Sequence, residues 1–336
     1  MKALHFQAEV LTPLVIAGAD PKSPNVMAEG LRPPSLRGAM RWWFRAMMGG
    51  IVGVDRGYQT LRELEGRVFG STEQGSSVRL RTYLHQGARD IAYLCMNERR
   101  SKKSGAPKDY DKIQKSSILP PSTFLIQLCG RSGGNEEIRL ALSSLWLTAM
   151  LGGIGNRSRR GFGSLTLAPV DEQTKQAAQE LSLDFSYPDK PLMEIKSALE
   201  AQLQKVQGYF VGYAPAVSSP PPAQFSVLSK MQAKLWIIKP KDQFWTSWQE
   251  AMNGLRDDIY RPCKAYLGLP SIGSANPRFA SPLIVQIKRT VAGRYFGVLL
   301  AFDHSWYRQP FWSSCSQLDT FLKSLSNYEH EEVALP

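Results

Sequence analysis

Apolar and polar side chains alternate strictly from position 4 to position 10. The apolar positions are Leu4, Phe6, Ala8 and Val10, and the polar positions are His5, Gln7 and Glu9. A period of two residues is typical of a strand that buries one face and exposes the other. The pattern therefore predicts a half-buried strand near the start of the chain.

Two later segments carry apolar side chains at helical spacing. In residues 35–48 the repeated apolar positions are Leu36, Ala39, Met40, Trp43, Phe44 and Met47. In residues 136–151 apolar side chains occupy nearly every side, which indicates a well-buried helix. Further strands are predicted at 76–84, 123–129 and 164–168, where apolar residues alternate or cluster in short runs.

The predicted order in the first half is strand, helix, strand, strand, helix, strand. This is the order of the ferredoxin-like α+β fold, which is also the scaffold of RNA-recognition modules. A polar and basic segment at 97–117 separates the second and third strands, and we expect it to be a mobile loop.

The second half contains a less complete copy of the same pattern. Strand patterns occur at 233–239, 281–289 and 295–302, and helical patterns at 244–259 and 316–325. Between the halves we predict a helical connection at 171–206, and three consecutive prolines at 220–222 mark a boundary. The sequence thus predicts two tandem ferredoxin-like domains, RRM-like α+β units with antiparallel sheets packed by helices, at 1–170 and 223–336. A helical and proline-rich connection at 171–222 would join them.

An excess of basic residues narrows the choice of partners. The 336 residues include 41 Lys and Arg against 29 Asp and Glu, so the formal net charge is +12. Nucleic acid is the most common partner for such an excess, although a basic surface without any binding role has the same composition.

The chain offers little material for a metal site or a disulfide framework. The cysteines are Cys95, Cys129, Cys263 and Cys315; they lie far apart, form no CxxC pair and are typical of reduced, cytosolic thiols. The histidines are equally scattered. The chain opens without the apolar segment of a signal peptide and lacks a run of the about 18 apolar residues that a membrane span needs. We therefore expect no metal, no cofactor and no membrane partner, and a cytoplasmic location.

The segment GGIGNRSRRGFG, residues 152–163, combines glycine and arginine without any acidic residue. It is not a P-loop, because that motif requires a lysine. It begins like the dinucleotide-binding G-x-G-x-x-G motif at Gly153 and Gly155, but Ser158 replaces the third glycine. Both motifs also lead from a strand into a helix, whereas here a helix precedes and a strand follows. We therefore predict no nucleotide cofactor at this segment.

The end of the segment suggests contact with a nucleic-acid backbone. Arg160, Gly161, Phe162 and Gly163 match the first half of an RNA-recognition strand signature, although Ser164 and the residues after it break the match. Glycine lets a backbone approach closely, and arginine binds phosphate through two parallel hydrogen bonds. The alternative is a glycine-rich turn whose arginines are solvated.

A second basic pattern lies on the first predicted helix. Arg37, Arg41 and Arg45 recur every four residues and form one stripe, opposite the side of Trp43 and Phe44. Like charges at this spacing repel, and Arg37 lies at the positive end of the helix dipole. We therefore expect that folding does not require these arginines and that bound phosphate would relieve an unfavourable arrangement.

The sequence also predicts where the first helix begins and where its aromatic side chains lie. Ser35 is predicted to be its N-cap. Trp43 and Phe44 are predicted core residues, whereas Trp42 either stacks on a base or covers the sheet edge. In the predicted topology, the loops after the first strand and the second helix approach each other, so the arginine stripe and the glycine-rich segment would line one groove.

These segments resemble a known family. LRPPSLRGAMRWWFRAM, the E-x-x-V-F-G-S at 65–71, GGIGNRSRRGFGSL and LGLPSIG with ASPLIV are similar to the first subunit of the type III CRISPR Cmr complex, within the RAMP superfamily. The resemblance covers residues 4 to 302 and implies two ferredoxin-like domains. It also implies a non-catalytic subunit of a multi-subunit effector that binds guide RNA and target RNA near the 3′ portion of the guide.

The resemblance also implies a set of RNA-binding residues. Those carried over by position as contacts to the RNA backbone are Arg32, Ser35, Arg37, Arg41, Arg45, Arg157, Arg159 and Arg160. The predicted site further includes Trp42, Gly153, Gly155, Asn156 and Phe162. No role is implied for the loop at 97–117 or for segment 171–222.

Two residues are candidates for RNA cleavage instead. Asp20 lies in the loop between the first strand and the first helix, where related RAMP subunits carry a cleaving aspartate. His5 is of a type that serves as general base, but no partner for it is recognisable, so a structural or surface role is preferred. The leading prediction is an RNA-binding subunit without an active site. The alternatives are a RAMP-type endoribonuclease that uses Asp20 and a basic protein-interaction scaffold without an RNA role.

Overall fold

The computed structural model describes residues 3–16, 30–54, 58–93, 114–131, 135–216, 225–262, 281–303 and 314–336. The elements of the first half are β1 (Ala3–Val10), α1 (Pro33–Val52), α2 (Gln59–Phe69), β2 (Val78–Tyr93), β3 (Gln114–Gly130), α3 (Asn135–Met150) and β4 (Leu165–Pro169). Two helices follow, α4 (Glu172–Glu180) and α5 (Leu192–Tyr213). The elements of the second half are β5 (Ala233–Pro240), α6 (Trp248–Gly254), β6 (Leu283–Arg289), β7 (Tyr295–Phe302), α7 (Ser314–Ser324) and β8 (Tyr328–Val333). After α6 the chain continues as a π-helical turn at Leu255–Tyr260.

The described strands form two sheets of the same topology. Their orders are β2-β3-β1-β4 and β6-β7-β5-β8, and every neighbouring pair is antiparallel. This order, with helices after the first and third strands of each sheet, is that of the ferredoxin-like fold. The predicted α+β fold with two ferredoxin-like units is therefore confirmed.

The second unit is complete, which corrects the expectation of a less complete copy. Its fourth strand, β8, pairs with β5 in a register that places Ile237 opposite Glu331. The sequence of β8 is YEHEEV, and only its first and last side chains are buried. Such a polar edge strand carries almost no hydrophobic pattern, so the sequence does not predict it.

Two other elements differ from the sequence prediction. Helix α2 is an additional element, although its buried residues Leu61, Leu64, Glu65 and Val68 follow helical spacing. Strand β3 begins at Gln114, so the end of the expected loop at 97–117 belongs to the sheet. The rest of that segment, up to residue 113, lies outside the described residues.

Sheets and helices alternate in layers around one extended core. Apolar side chains of β1, such as Phe6, face α1 and α3, and helices α1 and α5 also pack against one face of the second sheet through Leu235 and Phe302. A second cluster lies on the opposite face of that sheet, beneath α6 and α7. Because α5 contributes Leu199 to the core shared by both sheets, the domain limits 1–170, 171–222 and 223–336 remain a proposal.

Candidate nucleic-acid interface

Helix α1 begins earlier than predicted and has a different cap. It starts at Pro33, and Arg32 is the N-cap, with extended backbone angles and no side-chain capping bond. The prediction that Ser35 is the N-cap is therefore wrong. Proline is favoured in the first helical turn because its missing N–H has no partner there in any helix, and the two prolines set the start. The Ser35 side chain consequently lines the pocket described below.

The arginine stripe of α1 is partly neutralised by an acid on α2. Arg41 Nε lies 2.5 Å from Glu65 Oε1, and Arg45 Nη1 lies 2.7 Å from the same oxygen. Glu65 is only 5% exposed. The expectation that folding does not require these arginines is corrected for Arg41 and Arg45, which compensate a buried carboxylate. Arg37 differs, since its side chain forms no hydrogen bond or ion pair within the described part of the chain.

The aromatic residues of α1 separate into core and boundary positions. Trp43 and Phe44 are 3% and 0% exposed, which confirms that they are core residues. Trp42 meets Trp43 edge-to-face at a centroid distance of 4.8 Å and Phe302 of β7 at 5.9 Å. The Arg159 guanidinium carbon lies 5.4 Å from the centroid of the Trp42 ring. Trp42 thus joins α1, the glycine-rich segment and the second sheet.

Residues 152–163, here called the glycine-rich loop, connect α3 to β4 and lie against the second sheet. Gly161 N donates to the Val285 carbonyl at 2.7 Å, and Val285 N donates to the Arg159 carbonyl at 3.1 Å. Arg160 and Val285 accordingly form an isolated parallel bridge. The loop therefore extends the edge of β6 in the second sheet.

The glycines of this loop permit close approach between segments of the protein itself. Gly163 has φ +66°, and a Cβ there would overlap the Ile154 carbonyl oxygen; at Gly155, with φ +88°, a Cβ would lie 2.5 Å from the Val15 carbonyl oxygen. Backbone N–H groups nearby are also occupied, since Asn156 N donates to Val15 O at 2.7 Å. The expectation that the glycines bring backbone close to phosphate is thus replaced by a structural role at these positions.

Polar side chains of β6 hold the loop from the other side. Gln286 accepts a hydrogen bond from Ser164 Oγ at 2.5 Å and donates to the Ser158 carbonyl. Lys288 Nζ donates to the carbonyls of Ala149 and Gly152 at 2.5 and 2.7 Å, at the C-terminal end of α3. The sequence LIVQIKR carried a signal for this role, because two polar residues interrupt an otherwise apolar buried strand.

The arginines of the loop lie at the junction of the two units. Arg159 Nη1 donates to the Ser281 carbonyl at 2.5 Å, in addition to its position above Trp42. Arg160 lies over the Tyr260 ring at 5.5 Å from the centroid. Burial raises the pKa of the Tyr260 hydroxyl, and the Arg160 and Arg157 guanidinium groups oppose that rise. All three arginines remain partly exposed while they contact protein groups.

Phe162 does not fit the predicted site. It is 2% exposed and belongs to the core cluster of the second unit, although it lies in the loop after α3. A base cannot stack on this ring in the folded protein, so the inclusion of Phe162 among RNA contacts is corrected. Asn156 and Gly155 are exposed, whereas Gly153 is half-buried beside the Gln286 side chain.

A pocket of about 300 Å³ joins α1 to the glycine-rich loop. It is lined from α1 by Ser35, Ala39, Trp42 and Trp43, from the loop by Gly152, Gly153, Ile154, Gly155, Ser158 and Arg159, and from β6 by Ile284. The helix and the loop that carry the two basic sequence patterns, more than a hundred residues apart in the chain, are thus neighbours in space. We call this pocket, together with the two arginine-bearing elements that line it, the basic groove; of their arginines, Arg159 lines the pocket itself.

The cleavage candidates have different outcomes. His5 does have partners: its Nδ1 lies 2.6 Å from Asp171 Oδ2, and its Nε2 lies 3.0 Å from Gln127 Nε2. Asp171 in turn caps α4 by accepting from Thr174 N. This arrangement ties β1 to α4 and supports the preferred structural role. Asp20 lies outside the described residues.

Within the described ranges, His, Cys, Asp and Glu side chains form no group of three or more that could hold a metal ion. No helix in the same ranges is long and apolar enough to cross a membrane.

Comparison with known proteins places the chain in a family. The family model described as RAMP superfamily matches residues 7–166. Two proteins of Pyrococcus furiosus are similar along the sequence. CRISPR system Cmr subunit Cmr1-1 is 27% identical over 321 residues, which cover 88% of each chain. CRISPR system Cmr subunit Cmr1-2 is 33% identical over 191 residues, which cover 50% of this chain and 96% of the relative.

Solved structures share the fold. The crystal structure of Cmr1 from Pyrococcus furiosus in its apo form matches with a TM-score of 0.67 and 22% identity over 99% of both chains. A chain in the cryo-EM structure of the Type III-B Cmr-beta bound to cognate target RNA matches with a TM-score of 0.57 and 12% identity, over 96% of this chain and 100% of that one. On the strength of the sequence matches, the chain belongs to the Cmr1 family of the RAMP superfamily.

Proposed function

We propose that this protein is a subunit of a CRISPR RNA-guided complex that targets RNA, and that it binds RNA in the basic groove without cleaving it. Support comes from the Cmr subunits among its relatives and from the fold shared with a complex bound to target RNA. The observation that carries the proposal is the pocket between α1 and the glycine-rich loop, because it unites two arginine-rich segments on a chain of net charge +12.

The chemistry of the groove suits a phosphate backbone. Arg37 is without a partner among the described residues and lies in the first turns of α1, where the helix dipole also favours an anion. Arg159 lines the pocket, and Arg157 and Arg160 belong to the same loop; aromatic contacts to Trp42 and Tyr260 hold the guanidinium groups of Arg159 and Arg160 in position. Phosphate contacts position RNA without identifying bases, so we expect little sequence preference in this groove.

The proposal includes the wider role that the family resemblance implies. The groove would hold guide RNA, target RNA or both near the 3′ portion of the guide, beside other subunits of a Cmr effector complex in the cytoplasm. Arg32, Ser35, Trp42, Gly153, Gly155 and Asn156 would line its path. Arg41 and Arg45 share the single carboxylate of Glu65, so together they would contribute one uncompensated positive charge.

The direct test measures binding of a labelled single-stranded RNA to the purified protein by fluorescence anisotropy over a range of salt concentrations. Arg37→Ala should weaken binding to a similar extent for RNAs of unrelated sequence. Removal of one phosphate contact should reduce the slope of log affinity against log salt concentration, the salt slope, by about 0.7. The matched control is Arg139→Ala, since Arg139 is an exposed arginine on α3 outside the groove. Equal affinity and equal salt slope for Arg37→Ala and the wild type would reject the groove.

A second assay addresses catalysis. The wild type and an Asp20→Ala variant are incubated with the same labelled RNA, and products are separated by gel electrophoresis. We expect intact RNA in both samples. Cleavage by the wild type that disappears in Asp20→Ala would overturn the non-catalytic role and establish the endoribonuclease alternative.

A further inference from the structure

The two sheets differ in what covers their second face. In the second unit, α6 and α7 cover one face, and the other face carries Leu235, Val298 and Phe302 into the core formed with the helices of the first unit. In the first unit, the helices cover the face that carries Phe6. Its opposite face includes Gln7, which is exposed. We call this face, on which Gln7 of β1 and Ala168 of β4 are exposed while His5 and Glu9 are half-buried, the open face.

The open face is basic and aromatic at its outer strand. Along β2, Val78 and Leu80 point into the core, whereas the alternating residues Arg79, Arg81 and Tyr83 are exposed. Tyr83 is 48% exposed, so its aromatic ring is accessible on this face. Alternate residues of a strand are about 6.7 Å apart, so the three side chains form a continuous row on one surface.

The register extends this surface across the whole sheet. Tyr83 lies opposite Leu125, Leu125 lies opposite Gln7, and Gln7 lies opposite Ala168. With strands about 4.8 Å apart, this line is roughly 14 Å long. It ends at a pocket of about 240 Å³, which Gln7 and Ala168 line together with Thr290 of the second unit. The line therefore combines two residues with polar groups, Tyr83 and Gln7, and two apolar residues, Leu125 and Ala168.

The charges on the open face are unevenly compensated. Glu9 accepts two hydrogen bonds of 2.7 Å from the Arg289 guanidinium, and Asp171 lies 2.6 Å from His5. The side chains of Arg79 and Arg81, by contrast, form no ion pair or hydrogen bond within the described ranges. The Glu9 carboxylate is thus neutralised by Arg289, while the positive charges of Arg79 and Arg81 have no acidic partner among the described residues, which favours an anionic occupant.

We propose that the open face of the first sheet binds a short single-stranded stretch of RNA, with a base stacked on Tyr83 and phosphates on Arg79 and Arg81. Sheet faces of this topology accept two or three unstacked bases when an aromatic side chain and nearby cations are exposed. A line of about 14 Å across four strands has room for that number. The inference rests on the proposed RNA-binding function but uses a surface separate from the basic groove.

The test uses the full-length protein, a labelled uridine-rich RNA of about ten nucleotides and a blunt duplex of the same length. Tyr83→Ala should weaken binding of the single strand at least about fivefold, whereas Tyr83→Phe should bind like the wild type because it keeps the ring. The Arg79→Ala/Arg81→Ala variant should weaken binding of the single strand and reduce its salt slope. Arg139→Ala again serves as the control for removal of an exposed arginine.

Photo-crosslinking with 4-thiouridine RNA provides a second readout, in which the peptide that contains Tyr83 should carry the crosslink. The inference is overturned if both face variants bind the single strand like the wild type while Arg37→Ala weakens it. That result leaves the groove intact and assigns the face to another occupant, such as a protein subunit. If the wild type binds neither RNA at any salt concentration, the proposed function fails together with this inference.

Discussion

Lys288 of the second sheet donates a hydrogen bond of 2.7 Å to the carbonyl oxygen of Gly152, the first residue of the glycine-rich loop. A further bond of 2.5 Å to the Ala149 carbonyl places the same amino group at the negative end of α3. The side chain is 1% exposed. One unit of the fold thus supplies the C-terminal partner for a helix of the other, and this contact helps to position the loop arginines.

The Lys288 contact makes stability depend on pH in the alkaline range. Burial lowers the pKa of the Lys288 amino group to about 7, from an ordinary value of 10.5. Between these values the folded protein binds fewer protons than the unfolded chain, so this group makes the free energy of unfolding rise with pH. Below about pH 7 both states carry the proton, and its contribution to the pH dependence disappears.

Replacement of Lys288 tests this linkage. Urea denaturation of the wild type should show a free energy of unfolding that increases from pH 7 to pH 10 relative to that of Lys288→Met. In Lys288→Met the carbonyls of Ala149 and Gly152 lose their hydrogen-bond donor, which lowers stability at every pH. The variant also lacks the titrating amino group, so the rise of stability with pH should be absent. Parallel pH curves for the two proteins would contradict the assignment.

Arg37 and Arg41 should respond differently to truncation. Arg41→Ala removes a charged hydrogen bond to the buried Glu65 carboxylate and should lower the free energy of unfolding by about 1–2 kcal/mol. Arg37→Ala removes no such bond and should change stability by less than about 0.5 kcal/mol. Thermal or urea unfolding separates the two, and RNA binding by Arg41→Ala is interpretable only beside that measurement. Equal stability of the two variants would contradict the pairing with Glu65.

Gly163 should tolerate substitution far less than another glycine with similar backbone angles. In Gly163→Ala the new methyl group would overlap the Ile154 carbonyl oxygen, and we expect stability to fall by at least about 3 kcal/mol. Gly293 also has a positive φ, +85°, but nothing lies within 4 Å of its Cβ position. Gly293→Ala should therefore cost only about 1 kcal/mol, and similar effects in both variants would argue against close packing of the loop.

Asp171 should stabilise α4 both as a cap and as a charged group. Asp171→Ala removes the bond to Thr174 N and should lower the free energy of unfolding by about 1 kcal/mol. Hydrogen bonds from the Thr174 side chain and backbone hold the pKa of the Asp171 carboxyl below its ordinary value of 3.8. The contribution of this shift is thus present above about pH 4 and is lost as the pH falls through the folded value.

Asp171→Ser is the matched control for that experiment, since serine can cap α4 without a charge. The Asp171→Ser variant should retain most of the free energy of unfolding at neutral pH. It should lack the additional decrease that protonation of the Asp171 carboxylate causes in the wild type at low pH. A similar acid dependence in Asp171→Ser and the wild type would show that the carboxylate does not titrate as described.

Local pattern is sufficient for most elements of this fold. The alternation at 4–10 and the helical spacing of Trp43 and Phe44 predict the observed structure, because burial of one face imposes a period. The apolar runs of β6 and β7 predict strands that are buried on both faces. The same pattern analysis does not predict β8, because an edge strand that buries only its first and last side chains shows no alternation of apolar and polar residues. α2 differs from β8, since its buried residues do follow a helical period and could have been predicted.

By itself, the sequence determined which segments are basic, which are apolar and in what order most strands and helices follow, and from these the α+β fold class. Only the tertiary structure decided how the charges are used. It brought Glu65 beside Arg41 and Arg45, buried Phe162 in the second core and set the glycines against neighbouring backbone. The physical reason is that periodicity reports whether a side chain is buried, whereas its partner is selected by packing between residues that are distant in the chain.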